Sequence, residues 1–266
     1  MLKDVTIGQF FPGNSFLHRL DPRSKILGVM IYMITLFIIN NFWAMGAMVL
    51  LSIYIIWVSR VPIRFFFRGI KAIILVVMMT VVLQMFMTPG EELWSWGFLT
   101  LTVEGIHRAI FMGTRLVLLV SVTSILTLTT TPIALTDGIE TLLRPFQRFG
   151  VPAHELAMMM SIALRFIPTL IEETDKIMKA QAARGADFES GNLIERAKAM
   201  IPLMVPLFLN AFKRAEELAM AMEARCYHGG EGRTRLKALK YGRIDRITGV
   251  FCTLMFIAAI GSRFIP

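Results

Sequence analysis

The chain has 266 residues, 55% of them hydrophobic and 18% charged, with a formal net charge of +9 and a mean hydropathy of +0.62. A soluble domain is roughly 45–50% apolar even when Gly is counted, and here the excess falls in long runs almost free of charge, which excludes an ordinary soluble fold. The basic residues avoid those runs, so a membrane surface and its positive-inside bias explain the charge before nucleic acid does.

Met1 to Lys25 carries Asp4, Pro12 and Asp21 and lacks the apolar core of a secretory signal, so its removal is not expected. A helix needs about 17–25 apolar residues to cross the hydrocarbon, where lipid cannot satisfy exposed backbone groups. Five runs qualify: Ile26 to Asn40, Trp43 to Val58, Ile70 to Thr88, Ala109 to Thr131 and Ile247 to Ile265. The first two are short and extend into a shared turn at Asn40-Asn41, with Trp43 at the interface level. Arg19, Arg23 and Lys25 precede the first run, and Arg60, Arg64, Arg68 and Lys71 follow the second. The turn at Asn40-Asn41 has no basic residue, and the connection around Glu91 to Trp94 has only Arg108. These counts predict a cytoplasmic N-terminus, an odd number of spans and an external C-terminus. That topology places Cys226 in the cytoplasm and Cys252 inside a span, which argues against a disulfide.

The stretch from Pro132 to Arg246 is too long for a simple loop and too apolar for a disordered linker. It reads as three helices: Ile133 to Phe149 ending at Gly150, Ala153 to Arg184 ending at Gly185, and about Leu193 to Tyr227 ending at Gly229-Gly230. Pro168, Pro202 and Pro206 are expected to kink them. Their apolar portions, such as Ala157 to Ile171, are short and flanked by charge, and are expected to lie along the membrane or dip into it. Ile201 to Phe212 could instead form part of a sixth span. The expected organisation is therefore an N-terminal segment with four spans (residues 1–131), a cytoplasmic and interfacial helical domain (132–245) and a final span (246–266).

The chemistry that is missing narrows the function. No G-x-x-x-x-G-K-[ST] loop, H-E-x-x-H, metal-spaced Cys pair or G-x-S-x-G occurs, so no cofactor, metal or nucleophile is indicated. The candidate spans hold no Asp, Glu or Lys at mid-depth; Arg115 lies near the external end of the fourth and is expected to snorkel. Ion-coupled carriers generally need such intramembrane groups or broken helices. Arg60, Arg64 and Arg68, interleaved with Phe65-Phe66-Phe67, read as topology and anionic-lipid anchors rather than a nucleic-acid surface. Glu172, Glu173 and Asp175 are expected to pair along a solvated helix face with Lys176 and Lys179.

Two helix ends are more specific. One reads Ala182-Ala183-Arg184-Gly185 and the next Glu223-Ala224-Arg225-Cys226, with Ala180 and Ala221 in equivalent places. Small neighbours let a partner backbone approach, and a guanidinium binds carboxylates in a fork that Lys cannot reproduce. An Arg that merely complements the helix macrodipole is the plain alternative at either end; the duplication favours docking.

Together with Ser15-Phe16-Leu17-His18-Arg19-Leu20-Asp21-Pro22-Arg23-Ser24-Lys25, these tripeptides resemble the transmembrane T component of energy-coupling factor (ECF) vitamin transporters. That family has an early H-x-L-D-P-R-x-K segment and two later Ala-Arg-Gly-type motifs on long cytoplasmic coupling helices. The run Gly229-Gly230-Glu231-Gly232-Arg233-Thr234 is similar too, and the resemblance spans essentially the whole chain. The second motif commonly has Gly where this chain has Cys226, and Cys would sit less comfortably than Gly at a positive φ.

The resemblance implies an all-α integral membrane protein with about five transmembrane helices and long cytoplasmic coupling helices. Two ATP-binding-cassette (ABC) ATPase subunits would dock on Ala183-Arg184-Gly185 and Ala224-Arg225-Cys226. A small membrane capture (S) subunit, one of several exchangeable ones, would bind the vitamin or other micronutrient. Met158-Met159-Met160, Met200, Met204, Met220 and Met222 suit a surface that repacks against several partners. The competing readings are a membrane-embedded enzyme with a site at the cytoplasmic interface, which would need clustered His, Asp or Glu, and a standalone channel or carrier.

Overall fold

A computed structural model describes residues 10–96, 99–186, 188, 192–229 and 239–262. They fall into two compact units, one drawn from Gly8–Ile139 and Lys237–Pro266, the other from Glu140–Leu236.

The first unit is a bundle of long apolar helices. A single turn, α1 (Phe16–Arg19), leads into α2 (Pro22–Ile38), which starts where Asp21 accepts a hydrogen bond from the Arg23 N–H and Pro22 supplies a preset φ at the first position. Asn41 caps α3 (Phe42–Ser59) by accepting from the Trp43 N–H at 3.2 Å. Next, α4 (Ile63–Met87) bends by 58° between Lys71 and Ile73. A short antiparallel hairpin, β1 (Glu92–Trp96) and β2 (Leu99–Thr102), leads into α5 (Val103–Thr129). Thr102 joins three elements: its hydroxyl donates to the Thr88 carbonyl at 2.8 Å and accepts from the Gly105 N–H at 3.0 Å. Gly105 permits that approach, since a Cβ there would stand 2.6 Å from the Met85 carbonyl oxygen. The last helix is α9 (Arg243–Ser262).

The core of this unit joins α2, α3, α5 and α9 through Tyr32, Leu36, Met45, Met48, Leu118, Val122 and Ala259. Lipid tails are as apolar as Leu, so van der Waals fit and internal hydrogen bonds hold such helices together. The buried hydroxyls of the core bond within or between neighbouring helices: Thr35 donates to the Ile31 carbonyl, Ser121 to Val117 and Thr129 to Ile125, while Tyr32 and Ser52 bond each other. Large apolar side chains such as Trp43, Leu50 and Leu75 face outward, as in a protein solvated by hydrocarbon.

The second unit contains the end of α6 (Pro132–Leu143), a 3₁₀ turn (Arg144–Phe149), α7 (Ala153–Ala183) and α8 (Leu193–Glu223). One continuous helix was expected over 133–149. Pro145, in the first turn of the 3₁₀ segment, has no N–H to donate, so the helix gives way to a tighter turn that stops at Gly150 with φ +84. Pro168, Pro202 and Pro206 lie inside α7 and α8, and both helices run through them for 31 residues each.

By length and composition, α3, α5, α7 and α9 can cross a membrane, and α4 can if its two arms count as one span. At 17 residues α2 is the shortest of the five runs read as spans, and α7 joins the set because its first half is more apolar than its second. The architecture is that of an all-α integral membrane protein with one small hairpin.

Candidate functional site

The two helix ends singled out by their sequence close with the same backbone device. At the end of α7, the Gly185 N–H donates to Ala182 and the Ala186 N–H reaches back to Gln181, each at 3.0 Å. At the end of α8, Cys226 donates to Glu223 at 2.8 Å and Tyr227 to Met222 at 3.1 Å. Both are Schellman motifs, in which a residue with positive φ turns the chain so that two N–H groups satisfy the last orphan carbonyls. Gly185 has φ +88 and Cys226 has φ +53. Cysteine thus holds the left-handed position that its side chain disfavours, and the turn is kept.

In each motif the Arg is the residue just before the left-handed one, and a small Ala precedes it. Arg184 donates its N–H to Gln181 at 3.0 Å, and Arg225 does the same to Met222 at 3.1 Å. Ala183, Arg184, Gly185, Ala224, Arg225 and Cys226 are all exposed. Among the described residues neither guanidinium forms an ion pair. Each stands exposed at the negative end of a 31-residue helix dipole, flanked by side chains too small to block an approaching surface.

The two caps do not converge on one pocket. His154, in the first turn of α7, bonds Glu140 through Nδ1 at 3.1 Å and the Tyr227 hydroxyl through Nε2 at 3.2 Å. The Arg225 end is thereby tied to the start of α7, while Arg184 lies at its finish, about 45 Å of helix away. Midway, Glu173 of α7 and Arg214 of α8 form an ion pair across the helices. This alters the expected solvated acidic face: Lys179 and Asp175 do pair along α7 at 2.6 Å, but Glu173 turns toward its neighbour.

The early H-x-L-D-P-R-x-K segment is a clasp within the first unit. Asp21 binds Arg23 at 3.0 Å, and the Asp21 N–H donates to Asp245 in α9 at 2.9 Å. Asp245 also accepts from the Gly242 N–H at 2.7 Å, and the Arg23 guanidinium stacks over the Tyr241 ring at 4.1 Å. Lys25 donates to the Thr129 carbonyl at 2.9 Å and the Thr130 hydroxyl at 3.1 Å, fixing α2 to the end of α5. His18 donates from Nε2 to the Phe11 carbonyl at 2.9 Å, and its Nδ1 accepts from Ser15 at 2.7 Å.

Arg115 departs from the expected snorkelling. It is 9% exposed, and its Nη2 donates to the Ile39 carbonyl at 2.8 Å, where α2 has run out of helical donors. The inward bond satisfies a helix end, while the Arg115 Nε is buried without a hydrogen-bond partner among the described residues.

Among the described residues no group of three or more His, Cys, Asp or Glu could hold a metal ion, and Cys226 and Cys252 are both free. Gly230 to Thr234 lie outside the described residues.

Comparison with known proteins gives one consistent picture. Residues 13–236 match the family described as CbiQ, cobalt transport protein. The energy-coupling factor transporter transmembrane protein EcfT of Clostridium kluyveri is 56% identical over 265 residues, covering 99% of this chain and 98% of that one. Its counterpart in Acidaminococcus fermentans is 54% identical over 257 residues, 97% and 96% of the two chains. That of Bacillus subtilis is 49% identical over 261 residues, 98% of each. A multi-pass helical membrane protein with this degree of identity along nearly its whole length belongs to the EcfT family, the transmembrane components of energy-coupling factor transporters.

Proposed function

We propose that the chain is the coupling subunit of an ECF-type importer. It passes ATP-driven motion of two ABC ATPase subunits to a separate membrane subunit that captures a vitamin or other micronutrient. The observation that carries this reading is the duplicated cap: two exposed arginines, in one backbone geometry, at opposite ends of a packed helix pair. A helix pair anchored at two distant points reports the separation of its anchors, so opening and closing of an ATPase pair would tilt α7 against α8. Arg184 would enter a groove on one ATPase and Arg225 the groove on the other. The chain itself would neither hydrolyse ATP nor hold substrate.

Apolar surface on the same helices suits the capture subunit. Met160, Met204, Phe208 and Phe212 all stand exposed, and flexible thioethers beside aromatic rings suit exchangeable partners. The dense basic residues ahead of α2 and after α3 support a cytoplasmic N-terminus in the plasma membrane, with α7 and α8 facing the cytoplasm.

Replacing both Arg184 and Arg225 by Glu should abolish co-purification of the ATPases from native membranes while membrane insertion stays intact. Either replacement alone should weaken association less, because the other cap still tethers the ATPase pair. Undiminished recovery of ATPases with the double variant would remove these arginines from the proposed role.

A further inference from the structure

The basic end of the first unit holds two adjacent cavities. One, of about 500 Å³, is lined mainly by apolar side chains of five helices, among them Val29, Tyr32, Ile55, Ile125 and Phe251. Its wall on α2 runs from Ser24 to Tyr32, a rise of roughly 12 Å, so it is a slot along the bundle. The other cavity, of about 540 Å³, is lined by Asn14, Ser15, Arg19, Trp57 and Arg60. Phe16 and Val58 belong to both walls, so the cavity that carries the two arginines lies directly against the apolar slot.

The basic groups here divide into engaged and free. Arg23 is paired with Asp21, and Lys25 is bonded to Thr129 and Thr130. Arg19 and Arg60 are exposed and, among the described residues, form no ion pair. Arg60 also has φ +54, a left-handed position that Gly or Asn would take with less strain. Buried neighbours keep it there: Ser59 is fully enclosed and bonds the Ile56 carbonyl, and Val61 packs into a small core with Phe66. Trp57, 75% exposed, stands beside it at the level where aromatic residues meet headgroups.

We infer that this composite cavity binds an anionic phospholipid of the cytoplasmic leaflet, an acyl chain in the slot and the phosphate between Arg19 and Arg60. The guanidinium fork matches phosphate oxygens, and the slot is the apolar half that a free phosphate would leave empty. A zwitterionic lipid presents the same phosphodiester but adds a quaternary ammonium that the two arginines repel, so net charge selects the anionic lipid. The inference does not depend on ATPase docking.

Cys252 lines the slot and serves as the probe. Cys226→Gly removes the other cysteine, and the full chain, carrying bimane on Cys252, is reconstituted in phosphatidylcholine vesicles. Acyl-brominated phosphatidylglycerol and brominated phosphatidylcholine are then titrated as quenchers. Each basic residue near an anionic surface contributes about 1 kcal/mol, so two predict a preference of about thirty-fold for the anionic lipid. Arg19→Gln with Arg60→Gln should erase the preference, and Lys at both positions should retain most of it. Should the double variant fail to fold by circular dichroism, Arg19→Gln alone carries the test, with a loss of about five-fold. Inorganic phosphate should not relieve the quenching. Equal quenching by both lipids, or a preference that survives loss of the arginines, overturns the inference. Shielding of Cys252 from both lipids in the assembled transporter would mean that a protein occupies the slot, and would also overturn it.

Discussion

Gly185→Ala isolates the conformational part of the first cap. A Cβ built on Gly185 meets nothing within 4 Å, so the substitution causes no collision and removes no contact. Its whole effect comes from the φ of +88, which an L-residue reaches at a cost of about 1–2 kcal/mol. That cost should open the turn and release the bonds from Gly185 to Ala182 and from Ala186 to Gln181. In hydrogen exchange followed by mass spectrometry, 1–2 kcal/mol corresponds to roughly 5- to 30-fold faster exchange of those amides. Asn, which tolerates the left-handed region, should fall between Gly and Ala, and Val should be worse than Ala. Association with the ATPases should weaken in the same order, because Arg184 sits inside the turn. The mirror experiment is Cys226→Gly, which should slow exchange at Tyr227 by about five-fold if relief amounts to about 1 kcal/mol. Unchanged exchange in Gly185→Ala, or an order that follows side-chain size alone, would refute the reasoning.

Three further perturbations address the scaffold. Asp245→Ala leaves the Asp21 and Gly242 N–H groups without their acceptor and should cost about 1–3 kcal/mol for each one left dry, read as a lower unfolding midpoint in detergent. Lys25→Met keeps the stem but abandons the Thr129 carbonyl and Thr130 hydroxyl, and should destabilise by about 1–3 kcal/mol in the same assay. Exchanging Glu173 and Arg214 should restore most of what either single charge reversal loses. A double-mutant cycle on unfolding midpoints should give a coupling of roughly 1 kcal/mol for this partly buried pair, and additive single effects would mean that it does not join α7 to α8.

Much of this was legible in the sequence because it is local. Apolar runs mark helices, Asp21-Pro22 and Asn41 mark starts, and Gly150 and Gly185 mark ends. The equivalence of the two caps was visible as a repeated Ala-Arg pair followed by a small residue, although Cys226 concealed that both ends take the same left-handed turn. What escaped is non-local. Asp21 meets Asp245 across 224 positions, Glu173 meets Arg214 across 41, and His154 meets Tyr227 across 73; no spacing rule announces such pairs. Arg115 was misread because an arginine near a span end has two outlets, water or an unpaired carbonyl, and only packing reveals Ile39 within reach. The break at Pro145 was legible and overlooked, since a proline that far into a helical run removes a donor.

The most direct test of the coupling account is site-specific photocrosslinking in the intact complex. A photoreactive amino acid would replace the exposed Ala180 in one sample and Ala221 in another, leaving both caps and both arginines in place, and crosslinked partners would be identified by mass spectrometry. The account predicts that each position captures an ABC ATPase, one partner at the end of α7 and the other at the end of α8. Capture of only lipid or of the membrane capture subunit at both positions, from a complex that still contains its ATPases, would contradict it.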